Sequence, residues 1–145
     1  MSRPALGHDL LQLHIDGASR GNPGEAGYGV FVTDASGAEV ASLYGYLGRA
    51  TNNVAEYQAL LQALRFAEQS GATRVRIFSD SELVVRQVNG QYKVKHPDML
   101  ALHGEARALL RRFREAQVAH VRREQNRQAD KLANTALDLK STKLE

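Results

Sequence analysis

Val54-Ala55-Glu56-Tyr57-Gln58-Ala59-Leu60-Leu61-Gln62-Ala63-Leu64-Arg65-Phe66-Ala67-Glu68-Gln69, then Gly71, then Arg74-Val75-Arg76-Ile77-Phe78-Ser79-Asp80 is the stretch whose reading decides the fold. In its first part, Leu60, Leu61, Leu64 and Ala67 recur at the spacing of an amphipathic helix. Gly71 follows where a C-terminal cap belongs. From Arg74 to Ser79 the period changes to two, with Val75 and Ile77 on the inner face of a strand. A strand also precedes the helix, from Glu39 to Leu47. Strand, helix and strand in one sheet form a right-handed crossover that imposes parallel pairing, which no run of hairpins can give.

Working outward, Leu10 to Asp16 alternates strictly, with Leu11, Leu13 and Ile15 on one face and Gln12, His14 and Asp16 on the other. Gly17 to Gly27 reads as a glycine-rich turn around Asn22-Pro23-Gly24. Tyr28 to Thr33 reads as a second strand, and Asp34-Ala35-Ser36-Gly37 as the turn into the third. Beyond the decisive stretch come a short helix from Ser81 to Asn89 and a longer one from Pro97 to about Phe113. A fifth strand over Gln117 to Val121 and a closing helix over Asn126 to Leu139 complete the chain. The order is βββαβααβα, an α/β chain with a mixed five-stranded sheet and helices on both faces. The first, fourth and fifth strands are expected to be parallel.

The 145 residues suit one domain, 1–145 with a core over about 10–139. At 43% apolar residues the composition is that of a globular protein. There is no cysteine, which excludes disulfides and thiolate metal sites. No apolar run approaches the roughly 20 residues of a membrane span. Met1 to His8 lack the pattern of a secretory signal, so a cytoplasmic protein is expected. The formal charge of +3 is mildly basic and suits a polyanionic partner. Arg107, Arg111, Arg112, Arg114, Arg122, Arg123, Arg127 and Lys131 concentrate that charge in the last third, a pattern a solvated helix face also produces.

Four acids sit in distinctive contexts: Asp16 in Ile15-Asp16-Gly17-Ala18-Ser19-Arg20-Gly21-Asn22-Pro23-Gly24, Glu56 after Thr51-Asn52-Asn53, Asp80 in Ser79-Asp80-Ser81, and Asp130 after Asn126. Each has a local explanation. Glu56 can close a capping box with Asn53, and Asp80 can cap the helix from Ser81. Asp130 can answer a helix dipole, and Asp16 can make an Asx-type turn. One cause explains all four together. Asp16 and Asp80 each end an alternating strand, and on parallel neighbours they leave the same sheet edge about 5 Å apart. That carboxyl edge is where open α/β sheets form sites. A carboxylate cluster without thiols or a histidine set selects hard cations such as Mg²⁺ or Mn²⁺.

Asp16-Gly17-Ala18-Ser19 with Gly21-Asn22-Pro23-Gly24, Thr51-Asn52-Asn53 with Glu56, Ser79-Asp80-Ser81, and Asn126 with Ala129-Asp130-Lys131-Leu132-Ala133 resemble, in order, the motifs of the type 1 ribonuclease H family. The resemblance covers about Leu11 to Leu139. It implies a ribonuclease H-like fold and an endonuclease that hydrolyses the RNA strand of RNA–DNA hybrids with two divalent ions. The products would carry 5′-phosphate and 3′-hydroxyl ends. The ions would be Mg²⁺, with Mn²⁺ able to substitute. Asp16 would bridge both ions, Glu56 and Asp80 would hold one side, and Asp130 the other. Gly17, Ser19 and Asn22 would face the RNA strand. Asn52 and Asn53 would meet minor-groove edges and hydroxyls, and Arg49 and Thr51 a DNA-strand phosphate. His96 falls where relatives often place an asparagine near that phosphate.

The chain departs from the family pattern in two places. Val121 to Asp130 contains no histidine, whereas relatives with a longer loop often carry one; His120 belongs to the fifth strand. Arg123 or Glu124 are the candidates to take its part. Gln87 to Asp98 is too short for the basic extension of some relatives, and an additional hybrid-binding domain is not expected before Leu10. Resemblance to a short-loop bacterial and archaeal subgroup implies a broader reading as an alternative, cleavage of double-stranded RNA or of hybrids with a single ribonucleotide as well. A monomer is expected. The competing readings are a non-catalytic hybrid-binding module and a related recombinase or exonuclease core.

Overall fold

The computed structural model describes residues 8–145; the expectation about a leader segment falls on residues 1–7, outside the described residues. Three strands, β1 (Leu10–Gly21), β2 (Gly24–Asp34) and β3 (Glu39–Ala50), form an antiparallel meander. Helix α1 (Asn52–Gln69) crosses to β4 (Arg74–Ser79), followed by α2 (Glu82–Val88), α3 (Pro97–Leu110), β5 (Glu115–His120) and α4 (Arg127–Leu139). The sheet order is β3-β2-β1-β4-β5, with β4 parallel to β1 and β5 parallel to β4. The mixed five-stranded α/β sheet read from the sequence is the one the chain adopts. Among the described residues no helix is long and apolar enough to cross a membrane.

Alternation decides what each face of β1 meets. Leu11, Leu13 and Ile15 are fully buried against Tyr57, Leu60, Leu61 and Leu64 of α1, with Met99, Ala106 and Leu109 of α3 closing the same core. The opposite face carries His14 and Asp16 and receives α4 through Ala129, Ala133, Ala136 and Leu137, all buried. Ser70 ends α1, and Gly71 follows at φ +81°, donating its N–H to the Glu68 carbonyl. That left-handed position suits glycine.

The segment Gly17–Gly27 is not a long turn. The β1–β2 ladder runs without break from Leu11↔Asp34 to Gly21↔Gly24, and only Asn22 and Pro23 lie outside it. The glycines look like turn chemistry in sequence, but several serve close approach between backbones. The helix caps also differ from expectation. Thr51, not Asn53, caps α1 by accepting from the Val54 N–H at 3.2 Å. Ser81, not Asp80, caps α2 through the Val84 N–H at 3.3 Å. Helix α3 stops at Leu110 rather than near Phe113, because its last turn tightens to bonds from Arg112 to Leu109 and from Phe113 to Leu110.

A candidate carboxylate metal centre

Ile15 and Ser79 are the last residues paired between β1 and β4. Asp16 follows the first and Asp80 the second, so their carboxyls leave the sheet together. β1 itself continues to Gly21 along β2, so Asp16 ends the ladder with β4 rather than its own strand. Glu56, in the second turn of α1, completes the group. One carboxylate oxygen from each of Asp16, Glu56 and Asp80 lies within 4.8 Å of the others. Asp16 and Glu56 are only 6% and 4% exposed, while Asp80 is half-buried.

Two glycines make this convergence feasible. A Cβ on Gly17 would stand 2.3 Å from the Glu56 amide nitrogen, so the bare backbone beside Asp16 admits the start of α1. Gly29 is the cross-strand partner of Asp16. A Cβ there would stand 2.3 Å from the Ala129 carbonyl oxygen and 2.6 Å from the Ala133 nitrogen. The helix start that carries Asp130 therefore rests directly on β2. Gly29→Ala must push α4 outward. It is expected to lower stability by about 3 kcal/mol, in the upper range for overpacking. Urea unfolding measures this, and a loss under about 1 kcal/mol would contradict the contact.

Glu56 is not part of a capping box. Its Oε1 accepts the Gly17 N–H at 2.5 Å and its Oε2 accepts the Ser79 hydroxyl at 3.2 Å. Ser79 is fully buried, and its Oγ accepts in turn from the Ser81 N–H at 3.0 Å. Both oxygens of Glu56 are thus aimed by groups outside its own helix. Burial raises the Asp16 pKa to about 10, with the charges of Glu56 and then Asp80 adding to it. Burial also raises Glu56 to about 7, against the hydrogen bonds from Asp16, Gly17 and Ser79. Asp80 is raised by burial and by Asp130, with Arg123 opposing. Without cations, Asp16 holds its proton and donates it toward Glu56. The donor set contains only oxygen, is buried and repels itself, which fits hard divalent ions.

Asp130 stands outside the 4.8 Å group, in the first turn of α4, yet bears on Asp16 by a hydrogen bond and on Asp80 by charge. The two auxiliary candidates separate. Arg123, exposed on a short 3-10 turn (Arg123–Gln125), acts on the Asp80 carboxylate. Glu124 faces away, lining a cleft with His14, Phe31 and Gln125–Gln128, its carboxylate 3.9 Å from Arg122. His120 ends β5 and is exposed.

Of the remaining candidates, Asn22 and Asn52 are joined, the Asn52 N–H donating to Asn22 Oδ1 at 3.1 Å. Ser19 Oγ donates to the Gly21 carbonyl and, at 2.9 Å, to the Ala50 carbonyl, tying β1 to the end of β3. Arg49 is exposed near that end, and Thr51 and Asn53 are partly exposed beside it. The Gly17 amide is spent on Glu56, which withdraws it from the backbone donors expected to meet RNA. His96 is exposed and caps α3 by accepting the Asp98 N–H on Nδ1 at 3.2 Å. Two participants carried no role in the sequence reading: Ser79, whose only signal is a small hydroxyl before a strand-ending acid, and Asn126.

A family model described as reverse transcriptase-like matches residues 14–136. A crystal structure of a ribonuclease H1 from Halobacterium salinarum superposes with a TM-score of 0.87 at 42% identity, covering 89% of this chain and 98% of that one. The chain belongs to the type 1 ribonuclease H family. Another family member, a ribonuclease H1 solved in complex with an RNA/DNA hybrid, gives a TM-score of 0.85 at 38% identity over 90% of this chain and 98% of that one. A bifunctional protein of Mycobacterium tuberculosis is 49% identical over 127 residues, 87% of this chain. The chain spans about a third of the length of that relative, 35%.

Proposed function

We propose that this chain hydrolyses the RNA strand of RNA–DNA hybrids with two divalent ions, Mg²⁺ or Mn²⁺, leaving 5′-phosphate and 3′-hydroxyl ends. The observation that carries the reading is the buried Asp16–Glu56–Asp80 group, its oxygens within 4.8 Å, in a ribonuclease H fold. A binding module gains nothing from an empty, self-repelling carboxylate pocket, so the cluster favours catalysis. Asp16 would be shared between the ions, with Glu56 and Asp80 on one side and Asp130 on the other. Bound there, such ions supply an activated water and neutralise charge on the leaving oxygen.

The chain's own part is to hold these groups ready. Gly17 and Ser79 fix both oxygens of Glu56 before any ion arrives. The low exposure of Asp16 and Glu56 keeps bulk water from screening the charges that form. The Asn22–Asn52 bond orients one carboxamide toward solvent with its donors free of the Asn52 amide. In our reading Asn22, Asn52 and Asn53 test for 2′-hydroxyls in the wide minor groove of an A-like duplex. Ser19 and Gly17 shape that surface rather than donate to it. Arg49 and Thr51 would meet a DNA-strand phosphate, with His96 at the margin. Arg123, acting on Asp80, is our candidate for the step assisted by a loop histidine in relatives.

Labelled RNA–DNA hybrid, double-stranded RNA and double-stranded DNA, each incubated with Mg²⁺ or Mn²⁺, test the reading. Internal cleavage of the hybrid's RNA strand, with DNA spared, is expected; an intact hybrid alongside cleaved DNA would refute it. Cutting of double-stranded RNA in the same assay decides the wider substrate range of the short-loop form. Affinity for the hybrid should also depend steeply on salt. With about four cationic phosphate contacts, counterion release weakens binding about 100-fold between 50 and 200 mM salt. A flat response would contradict phosphate gripping by the arginines.

A further inference from the structure

Asn126 is 1% exposed, and it belongs to neither the carboxylate group nor the expected substrate surface. Its Nδ2 donates to the Ile15 carbonyl at 2.8 Å, across 111 residues of chain. That carbonyl is part of the peptide whose nitrogen is Asp16. The Asn126 main-chain carbonyl accepts the Asp130 N–H at 3.1 Å. One residue thus grips, by its side chain, the peptide preceding Asp16 and, by its backbone, the residue bearing the fourth acid. Beside it, Asp130 hydrogen-bonds the Asp16 side chain, and farther along β1 Arg20 reaches Asn134 and Asp138 of α4; the Asn126 bond is the one made to the main chain next to Asp16.

The cost of placing an asparagine there argues for a role beyond filling space. Its Oδ1 is buried without a hydrogen-bond partner among the described residues. Leaving a buried acceptor unpaired costs about 1–3 kcal/mol, against the roughly 1 kcal/mol that a typical hydrogen bond such as the one to Ile15 returns. What the carboxamide adds is one directional bond to Ile15, and this bond bears on the spacing of Asp16 and Asp130. Those two acids come from β1 and α4; their own side-chain hydrogen bond and the packing of α4 on Gly29 of neighbouring β2 are the other contacts at this place.

We infer that Asn126 is a positioning residue that sets the separation of Asp16 and Asp130, and through it the affinity of the carboxylate site for divalent cations. The inference rests on the proposed metal-dependent reading of the site. Groups that orient metal-binding side chains change affinity by about 10–100-fold when removed.

The test is a titration of MgCl₂ against thermal stability, read alongside hybrid binding in chelator and cleavage as a function of Mg²⁺. Asn126→Ala is expected to raise the Mg²⁺ concentration at half-maximal thermal shift about tenfold or more. Hybrid binding in chelator should stay within about threefold, and lost cleavage should recover in part at high Mg²⁺. Leu109→Ala, in the core under α3, serves as the control: it lowers stability by about 2–5 kcal/mol without moving the Mg²⁺ midpoint. If Asn126→Ala does not fold, Asn126→Ser is titrated instead, its hydroxyl a shorter donor that should shift the midpoint in the same direction by less. A wild-type midpoint in the folded variant overturns the inference. A wild-type protein that binds Mg²⁺ but leaves hybrid intact would refute the proposed substrate while leaving the positioning role standing.

Discussion

Asp80→Asn is expected to lower Mg²⁺-dependent cleavage of an RNA–DNA hybrid by about 1,000-fold or more, about 4 kcal/mol of transition-state stabilisation. Hybrid binding in chelator should change little. The separation follows from where Asp80 stands. It is half-buried just past β4 and caps nothing, since Ser81 caps α2. An asparagine of the same shape leaves β4 and α2 undisturbed and removes only the charge facing Asp16 and Glu56. A fold-supporting acid would behave differently, losing stability and activity together. Single-turnover cleavage and equilibrium binding on the same preparation distinguish the two. Surviving cleavage would remove Asp80 from the site.

The second large effect has the opposite sign. In chelator at pH 8, Asp16→Asn should be more stable than the unaltered protein, by about 1–3 kcal/mol, because folding no longer has to reprotonate a carboxylate that is ionised in the unfolded chain. Burial lifts Asp16 to about 10 and Glu56 to about 7, so the folded state binds protons that the unfolded chain releases near pH 4. Where the folded state binds more protons, stability falls as pH rises. The window opens just above pH 4, closes near 7 for Glu56, and extends to about 10 for Asp16. The metal-free protein should therefore melt at progressively lower temperature from pH 5 to pH 8. An asparagine at position 16 imitates the protonated acid, keeping a donor toward Glu56 without a charge. Saturating Mg²⁺ should flatten the slope for the unaltered protein, because ions stabilise the ionised carboxylates. It should do little for the variant. A metal-free melting temperature that rises toward pH 8 would contradict the raised carboxylates.

What the sequence made legible follows from local period and composition. The alternation of Leu11, Leu13 and Ile15 gave the buried face of β1, and Leu60, Leu61 and Leu64 gave that of α1. The crossover between β3 and β4 then places Asp16 and Asp80 on one edge of the sheet. What stayed hidden depends on partners distant in the chain. Gly17 reads as part of a turn and Gly29 as an ordinary strand residue, because nothing local announces that α1 and α4 press on them. Glu56 looked like half of a capping box, since its partners Gly17 and Ser79 lie 39 and 23 residues away. That His96 also caps its own helix, a local bond that Pro97 helps to set up, had no part in the family resemblance that singled it out. Asn126 was visible as part of a motif, but its bond to Ile15 spans the whole fold.

Ion uptake by the carboxylate group tests the account most directly. Calorimetric titration of Mg²⁺ at pH 6.5, repeated in two buffers of different ionisation enthalpy, counts ions bound and protons released together. Since Asp16 is protonated and Glu56 partly so at that pH, saturable uptake accompanied by proton release is expected, and Asp16→Asn should lower the release to at most the part that Glu56 contributes. Heats that are flat, or uptake that releases no protons and survives Asp16→Asn, would mean that the buried acids are not where the metal binds.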